Sequence, residues 1–185
     1  MTWDWQQLEI LNGDATGVPP VLDKLLHGSR SQRAEAFSAL DGKVVNQGDL
    51  FSSAAAVTDV ILAELRLKRY LHEEAWLILH EIYRGSSSGR SLVVDDERYE
   101  VEEYCRCSVL SALPVIDEVV MRLDGEDFSY AAFLLGDIGE DSDKAIAILE
   151  REIAKSSGPR LDSAMDQLEV AVDLAEERRA RNKTT

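Results

Sequence analysis

Three histidines, two cysteines and 35 carboxylates are the residues through which this chain could do chemistry. His72 and His80 stand eight positions apart, which separates them by roughly 80° around a helix. Two metal ligands on one helical face need a spacing of four, and His27 is remote in sequence. His80 beside Glu81 could begin a metal site, but a solvated or edge histidine explains the pair more simply. Cys105-Arg106-Cys107 places its two thiols about 200° apart on a helix, so they share neither a disulfide nor a metal. Two cysteines also fall short of a four-thiolate zinc site, and both read as small buried hydrophobes. No serine sits in a nucleophile elbow, and no Gly-x-Gly-x-x-Gly or phosphate-loop motif occurs. Gly85-Ser86-Ser87-Ser88-Gly89 lacks the lysine of a phosphate cradle and reads as a flexible loop. The expectation is a protein with no catalytic residues, no metal and no cofactor.

The carboxylates are more informative. Asp and Glu outnumber Lys and Arg by 35 to 20, for a net charge of −15. Asp117–Asp143 holds nine acids and one base, Arg122. Asp95, Asp96, Glu97, Glu100, Glu102 and Glu103 form a second acidic stretch. Helix N-caps explain Asp127 and Asp141 individually, and a solvated face explains others. Like charges at this density repel and cost stability, so their concentration in two stretches calls for a reason. Nucleic-acid binders neutralise phosphates with clustered bases, and this chain would repel that backbone. Its best basic run, Arg178-Arg179-Ala180-Arg181-Asn182-Lys183, suits the C-terminal end of a helix. A strongly acidic surface fits a basic protein partner, or serves solubility alone. Tyr99 and Tyr104, beside the acids, have the chemistry of interface anchors.

The elements that must position these groups are helical. Ala54, Val57, Ile61 and Leu65 recur at spacings of three and four, as do Leu161, Met165, Leu168, Val172 and Ala175, and Ile146, Leu149 and Ile153. Each set marks one face of a helix. Ser29-Arg30-Ser31-Gln32 has the form of a capping box. Pro19 and Pro159 suit first turns, Asp49 suits an N-cap, and Gly28, Gly42, Gly85, Gly125 and Gly139 mark ends. The predicted helices are 4–11, 18–27, 31–41, 50–67, 71–84, 97–111, 114–123, 127–138, 143–155 and 159–181, with a strand suggested only at Leu92-Val93-Val94. Trp76 reads as core, while Trp3 and Trp5, two apart, cannot both face inward. The fold class is all-α, in a single domain with a frayed tail at 182–185. No signal peptide opens the chain and no apolar run approaches the ~20 residues of a membrane span, so the expected location is cytoplasmic.

Four segments repeat a pattern of alanine, bulky apolar residue, then Leu or Gly three positions on. They begin at Ala36, Ala75, Ala132 and Ala164. The small residue admits a neighbouring helix and the large one fills the space between layers. Two helices per ~40 residues is the period of HEAT and armadillo arrays, and the longer gap between Ala75 and Ala132 places an insertion near 85–97. The run Ala131-Ala132-Phe133-Leu134-Leu135-Gly136-Asp137-Ile138-Gly139-Glu140-Asp141, followed by Ala145-Ile146-Ala147-Ile148-Leu149, resembles the HEAT-like repeat signature. The front of the chain, through Pro19, Leu22, Arg33, Ala36 and Leu40, is similar to small bacterial HEAT-repeat proteins. The middle, Gly85 to Arg106, departs from the pattern.

That resemblance implies an α-solenoid of about four helix pairs whose second helices form a concave binding surface. Asp41, His80, Asp137 and Glu169, each five residues after a motif alanine, would then line one ridge. Together with the charge, it also implies an immunity-type protein that covers the site of a basic toxin or enzyme, its carboxylates standing in for an anionic substrate. The expected partner-binding residues are that ridge together with Asp95, Asp96, Glu97, Tyr99 and Glu100. The alternative is a HEAT-like lyase or cofactor-handling accessory protein, such as those that attach bilin chromophores. A HEAT-like DNA glycosylase fits the charge poorly.

Overall fold

The computed structural model describes residues 2–183. Among them the chain is helical with three short antiparallel hairpins. It divides into two compact units, the first ending at Ser111 and the second beginning at Ala112. No helix among the described residues is long and apolar enough to cross a membrane.

The first unit opens differently from the helix expected over 4–11. Turns lead into strands β1 (Glu9–Ile10) and β2 (Gly13–Asp14), paired with Ile10 opposite Gly13. Asn12 takes a left-handed backbone (φ 64°), which asparagine tolerates, and reverses the chain before a helical turn can close. Trp3 and Trp5 are both half-buried. Helix α1 (Val18–His27) starts with prolines in its first turn, and α2 (Arg30–Asp41) starts on the complete Ser29–Gln32 capping box. A second hairpin, β3 (Val45–Asn46) and β4 (Asp49–Leu50), turns on Gln47 and Gly48, both at positive φ. Asp49 is therefore a strand residue and not an N-cap. Helices α3 (Ser53–Arg66) and α4 (Glu73–Arg84) follow, and α3 is the most buried element of the unit. Trp76, Leu79 and Ile82 of α4 and Ile61, Leu62 and Leu65 of α3 are fully enclosed.

The segment expected as a flexible insertion, 85–97, carries the third hairpin. Strand β5 (Ser91–Val94) pairs with β6 (Glu97–Glu100), which runs directly into α5 (Val101–Ser111). The helix expected from residue 97 thus begins at Val101. The loop before β5 is tied down on both sides. Ser86 N–H donates to the Gly48 carbonyl, Leu50 N–H to the Ser86 carbonyl, and Ser87 N–H to a Glu102 carboxylate oxygen at 2.6 Å. Arg90 donates to Asp49 Oδ1 at 2.7 Å and lies over the Phe51 ring at 4.5 Å.

The second unit contains α6 (Leu113–Val120), α7 (Gly125–Ile138), α8 (Asp143–Lys155) and α9 (Pro159–Lys183). Helix α9 runs through Asn182 and Lys183, where a frayed tail was expected; the rest of that tail lies outside the described residues. Contacts fix the directions of the helices. Ser129 meets Ser163, Gly136 lies against Gln167, and Gly139 against Ala171, so α7 and α9 run side by side in the same sense. A Cβ on Gly139 would sit 2.4 Å from the Ala171 Cβ, and one on Gly136 would sit 2.6 Å from the Gln167 side chain. The two glycines of the Leu-Gly-Asp-Ile-Gly stretch therefore permit a close approach that any side chain would obstruct. In the first unit α2 and α4 show the same arrangement, with Arg30 reaching Glu73 and Arg33 reaching Glu74.

The four motif alanines, Ala36, Ala75, Ala132 and Ala164, are all buried. The bulky residues after them are not equivalent. Trp76 is core, whereas Phe133 is 42% and Met165 53% exposed. On α9 the apolar stripe expected from spacing is rotated relative to the packed face. Ala164, Gln167, Ala171 and Ala175 are buried, while Met165 and Val172 remain outside. Small residues win that face because α7 comes so close.

Candidate functional site

The expected binding residues fall into two groups with different settings. Asp41 on α2 is half-buried, and His80 on α4 keeps only 12% of its side chain exposed, 3.6 Å from Glu81. In the second unit Asp137 on α7 is 9% exposed, while Glu169 on α9 faces solvent. Among these four, Glu169 is fully presented to a partner and Asp41 in part.

The third hairpin gathers the other group. Val94 pairs with Glu97, and the two residues between them, Asp95 and Asp96, both take left-handed conformations (φ 49° and 67°). That is the type I′ geometry of a two-residue hairpin, which favours Asn-Gly. Asp95 suits the first of these positions, but Asp96 stands where glycine is favoured, and the pair sets two like charges side by side. Leu92 and Val94 are buried, anchoring one face of the hairpin, and Val93 on the opposite face is 66% exposed. Asp95, Asp96, Glu97 and Glu100 are all exposed, and none of them makes an ion pair among the described residues. Arg98, the one base within the hairpin, donates its Nε–H to Ser91 Oγ at 2.8 Å. Tyr99 is half-buried and donates its hydroxyl to Glu97, a bond that holds its own phenol above the usual range.

Aromatic contacts hold this hairpin and the N-terminal segment to the helices. Tyr99 packs edge-on against Tyr104 (5.6 Å between centroids), and Tyr104 edge-on against Trp3 (6.0 Å). Asp59 on α3 accepts from both Trp3 Nε1 (3.2 Å) and the Tyr104 hydroxyl (2.8 Å). Burial, then the Asp59 carboxylate, pushes the Tyr104 phenol well up. Tyr104 is thus a structural joint with its hydroxyl engaged, and Tyr99 is the better placed of the two for a partner. Between Trp3–Glu9 and the hairpin runs a groove of about 510 Å³, lined by Trp3, Asp4, Leu8, Glu9, Leu92 and Val93 among others.

Four acids of the longer stretch, Asp117, Glu140, Asp141 and Asp143, have a different fate, whereas Asp124 and Glu126 are exposed and in no ion pair among the described residues. Arg178, Arg179 and Arg181 of α9 reach Asp141, Asp143 and Glu140 respectively, and Arg178 also donates to the Glu140 carbonyl at 2.6 Å. Asp117 is met by Arg151. The basic run at the end of the chain is therefore the internal counterion of the α7–α8 corner, not only a complement to its own helix dipole. Deeper in this unit Glu152, buried at 3% exposure, accepts from Arg160 (2.6 Å) and Arg151 (2.8 Å). Arg160 also donates to the Val120 and Leu123 carbonyls and lies 3.8 Å over the Phe128 ring. Burial pushes the Glu152 carboxyl up, but hydrogen bonds from Arg160 and Arg151 outweigh it, so the group titrates below the usual range.

The thiols also differ from expectation. Cys105 is buried, and desolvation pushes its thiol up to about 12, whereas Cys107, two positions on, is exposed. Their opposed directions follow from helical spacing; the burial of both does not. No group of three or more His, Cys, Asp or Glu among the described residues is placed to hold a metal ion. Comparison with known proteins returns no match: no family model fits the sequence, and no curated protein or solved structure is similar to it.

Proposed function

We propose that this protein is a binding module for a basic protein partner, engaged through the acidic hairpin 91–100 of its first unit and the groove beside it. The observation that carries this reading is the contrast in how its acids are answered. Glu140, Asp141, Asp143, Asp117 and Glu152 each have an arginine. Asp95, Asp96, Glu97 and Glu100 have none among the described residues, and Asp96 stands at a turn position that favours glycine. Like charge with no cation to pair it costs stability on a braced turn, and within the chain only Glu97 among the four accepts a side-chain hydrogen bond, from Tyr99. Such charge is well suited to steering a positively charged partner and setting its register. Parallel neighbours α2–α4 and α7–α9, together with the burial of all four motif alanines, support a scaffold of stacked helix pairs in the HEAT-like manner. In its sharper form the module is a stoichiometric inhibitor, its carboxylates occupying the site where a basic toxin or enzyme receives an anionic substrate.

Immobilised protein challenged with lysate of its source cells tests this. A basic protein should be retained at low salt and released at high salt, where exposed charges are screened. It should be lost when Asp95→Asn, Asp96→Asn, Glu97→Gln and Glu100→Gln are combined. Retention unchanged by those four substitutions, or no specific retention, overturns the reading.

A further inference from the structure

The hairpin offers a second kind of complementarity, carried by its backbone. With Asp95 and Asp96 as the two turn residues, Val94 and Glu97 form the hydrogen-bonded pair that closes the type I′ hairpin. Pairing alternates from there along an antiparallel ladder. Leu92–Tyr99 is again hydrogen-bonded, while Val93–Arg98 and Ser91–Glu100 are not. The N–H and C=O groups of Ser91 and Val93 therefore point away from β6. No other hydrogen bond among the described residues takes them up. Ser91, Leu92 and Val93 form one wall of the groove, and Trp3, Leu8 and Glu9 stand on the other. An unpaired strand edge is a template for another strand, and soluble proteins usually blunt it with a charge or a proline. The residue at this edge is instead Val93, 66% exposed.

We infer that the free edge of β5 receives an extended, basic segment of the partner, which adds as a third strand to the hairpin. The inference rests on the binding reading above and specifies its mode. Backbone hydrogen bonds to Ser91 and Val93 would supply affinity, with alternate side chains supplying selectivity. One side of such a strand would pack on Trp3, Leu8 and Val93. Charge decides the partner's chemistry. Asp4 and Glu9 line the groove and Asp95 and Asp96 stand at the end of β5, four acids against one base in the lining, Arg98, which donates to Ser91 and keeps its charge. A second copy of this chain would bring the same acids against these, so a basic segment fits and self-pairing does not. A cavity of about 510 Å³ is ample for a few residues of extended chain, within the usual range of ligand clefts.

The probe is an alternating Lys-Val octapeptide, labelled for fluorescence anisotropy and titrated into the full chain. Its control is the same peptide N-methylated at every residue, which keeps the charge and removes the donors of both edges. The wild-type protein should bind the first at least tenfold more tightly than the second. Val93→Pro deletes an N–H that the β5–β6 ladder does not use, and should lower affinity for the unmodified peptide about tenfold. Amide exchange at Val93 should be fast in the free protein and slow in the complex, with Leu92 protected in both. Equal binding of both peptides, or binding indifferent to Val93→Pro in a variant whose Leu92 amide stays protected, overturns strand addition and leaves the acidic surface as the whole site. No binding of either peptide also overturns it, and the lysate experiment then judges the broader reading separately.

Discussion

The hairpin at 91–100 and the corner between α7 and α8 are both dense in carboxylates, yet they solve the problem of that charge in opposite ways. At the corner, α9 brings Arg178, Arg179 and Arg181 onto Asp141, Asp143 and Glu140. It can do so because Gly136 and Gly139 let it lie against α7. At the hairpin, the acids project from a braced turn and none is paired with an arginine among the described residues. A count along the sequence gives the stretch 117–143 nine acids to one base, but at the corner the chain itself answers Glu140, Asp141 and Asp143. The lesson is that acidity marks a binding surface only after the chain's own cations have been placed, and those can be dozens of residues away.

The largest effect should come from removing an answering charge where it is buried. Arg160→Ala leaves Glu152 with one arginine, strips two carbonyls of their donor and uncovers Phe128, and should cost about 3–5 kcal/mol in denaturant unfolding. The pH dependence follows from the same pair. Because the folded-state carboxyl of Glu152 is depressed, its contribution is complete above the ordinary glutamate range and fades as pH falls through and below it. Wild-type stability should therefore drop on acidification through that range more than that of Glu152→Gln. A loss under 1 kcal/mol for Arg160→Ala would mean that the buried charges are not held as the structure shows.

An intermediate effect is expected at the corner. Combined Arg178→Gln, Arg179→Gln and Arg181→Gln removes three exposed or half-exposed pairs, each worth about 0.2–1 kcal/mol. The loss should shrink in high salt, and a salt-insensitive loss would show that α9 contributes packing there and not counterions.

The hairpin should respond least, and in the opposite direction. Asp95→Asn with Asp96→Gly gives the turn the residues its geometry favours and removes two repelling charges. Stability should rise by about 0.5–1 kcal/mol, read as an increase in Tm, while capture of the basic partner weakens. A variant that is destabilised would mean that those aspartates serve the fold, and the contrast between the two regions would collapse.

Much of the scaffold was legible from local signals. Pro19, the Ser29 capping box, Gly28, Gly85 and Pro159 mark helix ends where the structure has them, and the motif alanines are buried as their spacing implied. The errors have physical causes. Trp3, Trp5, Leu8 and Ile10 can be read as an amphipathic turn of helix, but Asn12-Gly13 forces a reversal, and Gln47-Gly48 does the same for β3 and β4. Both are hairpin signals present in the sequence. The stripe on α9 was misplaced because periodicity weights Met165 and Val172 over alanine, whereas a helix lying on glycine selects the smaller residue. Of the candidate site, the acids at 95–100 could be named but their isolation could not, since it depends on where Arg90, Arg98 and the terminal arginines are engaged. Asp137 was picked by register, and register does not show that it lies among buried neighbours on α7.

The unequal burial of Cys105 and Cys107 has a practical consequence. A thiol pushed up to about 12 and sealed in the core holds a vanishing fraction of nucleophilic thiolate at neutral pH. Its neighbour two residues along α5 is open to solvent. A maleimide dye should therefore attach at one position without mutagenesis, on the helix that β6 runs into, giving an optical reporter beside the surface where a partner is expected to land.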